Sequence, residues 1–288
     1  MEAEAWRILI PLDGSVEAAS AVAAVMPLVR SRPATVTLFQ VIPSEKESPA
    51  ARAYLAKVEH TLRLHGIRAF AEIEAGRPVE RILHKLATES FDFIAMATHF
   101  RSETPQFVPE SVTGAVLFKG SLPLLICGPP PRIAPWDRIV VALDGWPSAE
   151  AILPEVARLA PPLMAEIHLV RVQPPPASRG SFLRFSPGPA PDDPETYLRS
   201  VAEKLHAQGL KTRAAVRHGL PAVEILSYAE EAGAGLIAMT THGRTGWPRA
   251  LVGSVAEGVL RSTPCSVLIR RINGVPQPLS SSEASHQR

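Results

Sequence analysis

The feature that most constrains the fold of this chain is an internal duplication. The segment Ile8–Gly14 matches Ile139–Gly145, at an offset of 131 residues (8 to 139). The segment Gly66–His99 aligns without a gap with Gly209–His242, at an offset of 143 (66 to 209). A register that stays constant over such lengths indicates two copies of one folding unit. Any fold assigned to one half must therefore also suit the other.

The second copy carries an insertion. The offset grows from 131 to 143, so twelve residues (143 minus 131) were added between Val172 and Gly209. The Pro-rich stretch Pro174–Pro194 is the candidate, and its composition is typical of a loop. A surface insertion is the simpler interpretation, and a lid over a ligand is the alternative.

Composition also predicts the boundaries between segments. Three consecutive prolines begin at Pro129, which predicts a stiff linker over 129–137 between domains at 1–128 and 138–271. The Ser-rich end of the chain, 272–288, has little to bury and is predicted to be disordered.

Within each copy, apolar runs alternate with segments of helical periodicity, which predicts a parallel sheet covered by helices on both faces. The strands of the second copy are predicted at Arg138–Leu143, Glu166–Val172, Leu210–Val216, Leu236–Thr240 and Ser266–Arg270, and the helices at Ser148–Leu159, Pro194–Gln208, Pro221–Ala232 and Val252–Arg261. Right-handed crossovers bring the carboxyl ends of such strands to one edge, where ligands bind.

Charge and composition argue against several classes of protein. A net charge of +2 gives no reason to expect a nucleic-acid partner. No apolar run approaches the roughly 20 residues of a membrane span, and the N-terminus lacks a signal-peptide pattern. We expect a cytoplasmic protein. Cys127 and Cys265 have no metal-site spacing and are expected to be small buried thiols.

The candidate chemistry of the second copy lies at the carboxyl edge of its predicted sheet. Asp144 follows the first strand, Met239-Thr-Thr-His-Gly243 closes the fourth, and Gly253-Ser254 opens the next helix. A helix N-terminus has unpaired N–H groups and a partial positive charge, and glycine allows an anion to approach the backbone closely. The pattern predicts a phosphate site, to which Arg244 or Arg249 could add charge.

Each of these residues also has a simpler interpretation. Asp144 before a glycine could form an Asx-turn, and Ser254 could be a helix N-cap. Gly243 could be a turn residue, Arg244 could be solvated, and His242 could be a structural hydrogen-bonding group. The argument for a phosphate site rests on their convergence at one edge.

These residues resemble those of the universal stress protein family over nearly the whole chain, as two tandem copies. The resemblance lies in Asp-Gly after the first strand, Thr-His-Gly, nine residues, Gly-Ser-Val-Ala-Glu, and the closing Thr263-Pro-Cys-Ser-Val-Leu-Ile269. The ATP-binding signature of the family is Gly-x-x-Gly-x(9)-Gly-Ser/Thr, and Thr240 occupies its first glycine position. The resemblance implies two tandem flavodoxin/Rossmann-like α/β domains, each with a five-stranded parallel sheet of order 3-2-1-4-5.

The resemblance also implies a nucleotide site in the second copy. ATP would be the ligand, with Mg²⁺ bound through its phosphates. Ala142, Asp144 and Val172 would line the adenine and ribose pocket, and the phosphates would meet backbone groups of the loop. The predicted binding residues are Ala142, Asp144, Val172, Met239, Thr240, His242, Gly243, Arg244, Gly253, Ser254 and Val255.

The first copy departs from this signature at the positions that would meet phosphate. Phe100 replaces the loop glycine, and Glu110 replaces the glycine at the helix start, where its carboxylate would repel phosphate. Pro105 and Pro109 remove N–H donors from its loop. We therefore predict that the first copy binds no triphosphate and serves as a structural partner.

The leading interpretation is a non-enzymatic adenine-nucleotide-binding stress protein, because no catalytic triad, carboxylate pair or histidine cluster is evident. A slow ATPase of the same fold and a nucleotide-free interaction module are the alternatives. Protein partners are unknown. The last strands, Leu122–Ile126 and Ser266–Arg270, are expected edges that could pair across the copies. A tandem chain can in this way imitate the dimer of single-copy relatives. Further pairing of two chains is left open.

Overall fold

A computed structural model describes residues 5–97, 111–127, 135–175, 193–242, 253–263 and 265–272, with only the backbone of His242. The first half contains β1 (Trp6–Leu12), α1 (Val16–Ala24), α2 (Met26–Ser31), β2 (Ala34–Ile42), a 3₁₀ turn (Glu45–Glu47), α3 (Ser48–Leu64), β3 (Arg68–Ala75), α4 (Pro78–Thr88), β4 (Phe93–Ala97), α5 (Val112–Lys119) and β5 (Leu124–Cys127).

The second half repeats this order. Its elements are β6 (Arg138–Ala142), a 3₁₀ turn (Ala149–Ile152), α6 (Leu153–Leu163), β7 (Glu166–Gln173), α7 (Pro194–His206), β8 (Thr212–His218), α8 (Pro221–Ala232), β9 (Leu236–His242), α9 (Ser254–Ser262) and β10 (Ser266–Ile272). The alternation of strands and helices predicted from the sequence is confirmed.

All ten strands join one sheet, in the order β3-β2-β1-β4-β5-β10-β9-β6-β7-β8. Each half has the predicted order 3-2-1-4-5 with parallel neighbours. The halves meet through β5 and β10, which pair across the copies as the sequence suggested, and the pairing is antiparallel, with Leu125 opposite Leu268. The chain therefore closes two would-be edge strands against each other.

The sheet has a hydrophobic core on each face, and both cores draw residues from both halves. The first core lies under α1, α2, α3, α6 and α7 and contains Leu125 together with Leu268. The second lies under α4, α5, α8 and α9 and contains Ile126 together with Val267. Both hydrophobic cores therefore continue without a break across the junction between the halves.

Two predicted elements are displaced for local reasons. The helix predicted from Ser148 starts as a 3₁₀ turn, and α6 begins only at Leu153, with Pro154 in its first turn. The third strand begins at Thr212, two residues later than predicted. Leu210 is instead a buried residue that closes α7, because its N–H donates to the Leu205 carbonyl across Gly209, whose φ is 77°.

The ends of the predicted linker and of the last strand also differ from expectation. Trp136, placed in the linker, is a buried member of the first core. The strand β10 extends to Ile272, two residues beyond its predicted end. Linker residues 129–134, most of the insertion (176–192) and the tail from 273 onward lie outside the described residues, and the domain boundaries remain predictions.

The two cysteines are buried thiols that form no disulfide, as expected. Burial raises the pKa of Cys127 to about 11, so this thiol stays protonated at neutral pH. Among the described helices, none is both long and apolar enough to cross a membrane.

Candidate functional site

The carboxyl ends of β6, β7 and β9 bring together three of the predicted pocket residues. Ala142 pairs with Met239 across β6 and β9, and Val172 lies near the end of the neighbouring β7. Ala142 and Val172 are half-buried and pack against the second core, whereas Met239 is buried within it. Ala142 and Val172 therefore form an apolar rim, and the Met239 side chain supports it from below.

Asp144 forms the Asx-turn that its sequence allows. Its Oδ1 accepts a hydrogen bond of 2.9 Å from the Trp146 N–H, and Gly145 adopts a φ of 95°. The first half repeats this turn, since Asp13 Oδ1 accepts from the Ser15 N–H at 2.9 Å. The turn leaves the Asp144 carboxylate exposed at the edge of the sheet, beside the apolar rim.

Two residues that sequence reasoning missed lie behind this turn. Arg171 is buried, and its guanidinium carbon lies 5.4 Å from the centroid of the Tyr197 ring. Burial lowers the pKa of Arg171, while burial and then the charges of Glu150 and Asp144 raise the pKa of Tyr197. The first half has Gln40 and Tyr54 at these positions. The sequence signal was weak, because this strand also contains the polar residues Glu166 and His168.

The contact with Arg171 makes Gly145 far less replaceable than its counterpart in the first half. A Cβ at Gly145 would lie 2.7 Å from Arg171 Cζ, whereas one at Gly14 would lie 3.7 Å from Gln40 Nε2. Both glycines have positive φ. We expect Gly14→Ala to cost about 1–2 kcal/mol of unfolding free energy and Gly145→Ala about 1–3 kcal/mol more. Urea denaturation of both variants checks this, and equal losses would contradict the role given to Arg171.

The start of α9 is fixed to the end of β9 by one hydrogen bond. The Gly253 N–H donates to Thr241 Oγ1 at 3.2 Å, and Thr241 is buried. Gly253 is the N-cap, and no side chain in the described part of the chain caps the helix. The N-cap interpretation of Ser254 is therefore wrong, because Ser254 is the first helical residue and is exposed. Its counterpart Ser111 does cap α5, by accepting from the Gly114 N–H.

The fold itself does not require glycine at position 253. Its φ is −55°, and among the described residues a Cβ there would meet only Thr241 Oγ1, at 3.9 Å. Ordinary residues adopt this conformation, and this spacing is a normal van der Waals contact. With the unpaired N–H groups of the first turn of α9 beside it, Gly253 leaves room for an anion to approach the backbone.

Comparison with known proteins identifies the family. The pattern of the universal stress protein family matches residues 6–128 and again residues 135–271. The chain belongs to the universal stress protein family. A universal stress protein of Methanocaldococcus jannaschii is 38% identical over 78 residues, which is 27% of this chain and 46% of the relative. One from Bacillus subtilis is 35% identical over 74 residues, 26% of this chain and 50% of the relative. The chain spans about half the length of these curated relatives.

Solved structures share the architecture of this universal stress protein along most of its length. A universal stress protein from Archaeoglobus fulgidus has a TM-score of 0.74 at 23% identity, covering 92% of this chain and 96% of that one. A putative universal stress protein from Pseudomonas aeruginosa has a TM-score of 0.63 at 20% identity, with 92% of each chain covered. At these identities the likeness supports the fold, and it extends over both halves.

Several predicted site residues of this universal stress protein lie outside the described residues. Gly243, Arg244 and Arg249 belong to the segment 243–252, and His242 is described by its backbone alone. The replacements in the first half, Phe100 and Glu110, fall within 98–110, as do Pro105 and Pro109. Of the predicted set, the structure places Ala142, Asp144, Val172, Met239, Thr240, Gly253, Ser254 and Val255 near the carboxyl ends of their strands or at the start of α9.

Proposed function

We propose that this universal stress protein binds an adenine nucleotide, ATP in the first instance, in its second half and performs no chemistry on it. The observation that carries the proposal is Gly253. It opens a helix that no described side chain caps, at the carboxyl edge of the sheet, and neither its φ nor the described residues around it require glycine. Close approach of a ligand to the backbone explains that choice of residue.

The arrangement of the edge suits the parts of a nucleotide. Ala142 and Val172 would offer apolar surface to the adenine, and the exposed Asp144 carboxylate would accept hydrogen bonds from ribose hydroxyls. The first N–H groups of α9 and the Ser254 hydroxyl would bind phosphate oxygens, together with the backbone of Gly243 and Arg244. A divalent cation such as Mg²⁺ would bind through the phosphates.

The first half is proposed to bind no triphosphate. It retains the Asx-turn at Asp13, but its sequence has Glu110 where the second half has Gly253. A carboxylate beside the first turn of α5 would satisfy the helix dipole and exclude phosphate. The chain would then be an internal pseudo-dimer in which one half holds a nucleotide. The nucleotide-bound form would bind a protein partner that is not identified.

Equilibrium titration with ATP tests this proposal. We expect one molecule of ATP per chain, because only the second half keeps the glycine at the start of its helix. Isothermal titration calorimetry gives the stoichiometry directly, and mass spectrometry of gently purified protein shows which nucleotide accompanies it. Two equivalent sites would contradict the assignment to one half. Steady release of ADP and phosphate would identify a slow ATPase. Absence of nucleotide binding would favour a nucleotide-free interaction module.

A further inference from the structure

Arg271 lies one strand away from the proposed phosphate site. It is near the end of β10, where the parallel register with β9 places it beside Thr241. Thr241 Oγ1 accepts the hydrogen bond from the Gly253 N–H that fixes the start of α9. Arg271 therefore stands next to the residue that positions this helix.

Arg271 also emerges on the same face of the sheet as α9. Two residues earlier in each strand, Met239 and Ile269 are a register pair, and both belong to the second core. Side chains two residues apart along a strand share a face. Thr241 and Arg271 thus point to the side that carries α5 and α9, whose first turn belongs to the proposed phosphate site.

The guanidinium of Arg271 carries a charge that no described carboxylate balances. It stacks on Phe118 of α5, with 4.0 Å between Cζ and the ring centroid. Its Nε is buried without a hydrogen-bond partner among the described residues, and none of them forms an ion pair with it. Burial lowers the pKa of Arg271. A partly desolvated cation of this kind is stabilised when an anion approaches it.

The neighbouring arginine provides a contrast within the same strand. Arg270 points to the opposite face and is ion-paired with the buried Glu155 of α6, so its charge is already balanced. In the first half, the positions equivalent to Arg270 and Arg271 are Cys127 and Gly128 (127 plus 143, 128 plus 143). The half with the altered loop thus lacks this pair of charges, whereas the half with the glycine-serine signature carries it.

We propose that Arg271 binds the terminal phosphates of the nucleotide in the second half, and that Phe118 of the first half holds its guanidinium in place. This inference rests on the proposed function and adds a residue to its site. It also gives the first half a direct part in binding, since the stacking ring comes from α5. The first half would then contribute to nucleotide binding although it has no nucleotide site of its own.

Substitution of Arg271 tests the inference through the difference between ATP and AMP. Arg271→Gln should weaken ATP binding by at least about tenfold, the range of a lost charge-assisted hydrogen bond, and should change AMP binding by less than about threefold. Arg271→Lys should fall between wild type and Gln for ATP, because Lys keeps the charge and loses the planar fork. Phe118→Leu, which removes the ring and keeps apolar volume, should weaken ATP binding by about two- to fivefold.

Arg261→Gln is the matched control, because it removes one arginine from the far end of α9, where Arg261 pairs with Glu257. It should leave ATP affinity unchanged. If Arg261→Gln and Arg271→Gln weaken ATP binding equally, the effect is one of general electrostatics and the inference is overturned. Equal losses of ATP and AMP affinity in Arg271→Gln would also overturn it. Thermal unfolding of each variant separates these effects from misfolding. No ATP binding by the wild type would overturn the proposed function itself, whereas unchanged binding by Arg271→Gln would overturn the inference alone.

Discussion

Gly253→Glu should abolish ATP binding while leaving the protein folded. The substitution gives the second half the residue that the first half carries at Glu110. A carboxylate about 4 Å from a phosphate near a protein surface is repelled by about 4 kcal/mol, which corresponds to a loss of affinity on the order of a thousandfold. Calorimetric titration of wild type and variant measures the difference.

The fold should tolerate this change because Gly253 has an ordinary φ and because no described residue crowds the position of its Cβ. A negative charge at a helix N-terminus is also favourable to the helix dipole, so we expect an effect within about 1 kcal/mol on unfolding free energy. Gly253→Ala is the control: its Cβ fits at 3.9 Å from Thr241 Oγ1 and adds no charge. It should retain part of the affinity. Unchanged ATP binding by Gly253→Glu would refute the phosphate assignment.

The architecture could be predicted because the duplication shows the sequence pattern of each element twice. A strand pattern that appears at Ile8–Gly14 and again at Ile139–Gly145 is poorly explained by chance, and parallel connections restrict how such strands assemble. Element ends were less predictable. Leu210 reads as the start of a strand but closes the helix before it, since an apolar residue suits either role and only tertiary packing decides.

The site was predictable where backbone geometry dominates and unpredictable where side chains from distant segments meet. Asp144 and Gly253 are visible as a turn and as a helix start. Arg171 and Arg271 are not visible in that way, because an arginine in a strand is usually solvated. Their surroundings come from Tyr197 of α7 and Phe118 of α5, and the latter contact crosses between halves. Sequence spacing carries no information on such contacts.

Leu268→Ala should destabilise the whole molecule. Leu268 is 1% exposed and stands opposite Leu125, where β5 and β10 join the halves. Removal of a buried leucine side chain costs about 2–5 kcal/mol, which for a chain of this size lowers Tm by roughly 4–20 °C. Because the first core contains both residues, we expect a single unfolding transition in which both halves lose structure together. Circular dichroism with hydrogen exchange in each half measures this.

A double-mutant cycle shows whether the junction couples the halves. Leu125→Ala and Leu268→Ala are in contact positions across the junction, so their combined effect should deviate from additivity by about 0.5–3 kcal/mol. Leu55, on α3 at the other side of the first half, offers the same change at a buried position without facing β10. Leu55→Ala with Leu268→Ala should be additive within about 0.5 kcal/mol. Two separate transitions, or additivity at both pairs, would mean that the antiparallel junction holds two independent domains in contact without making them one cooperative unit.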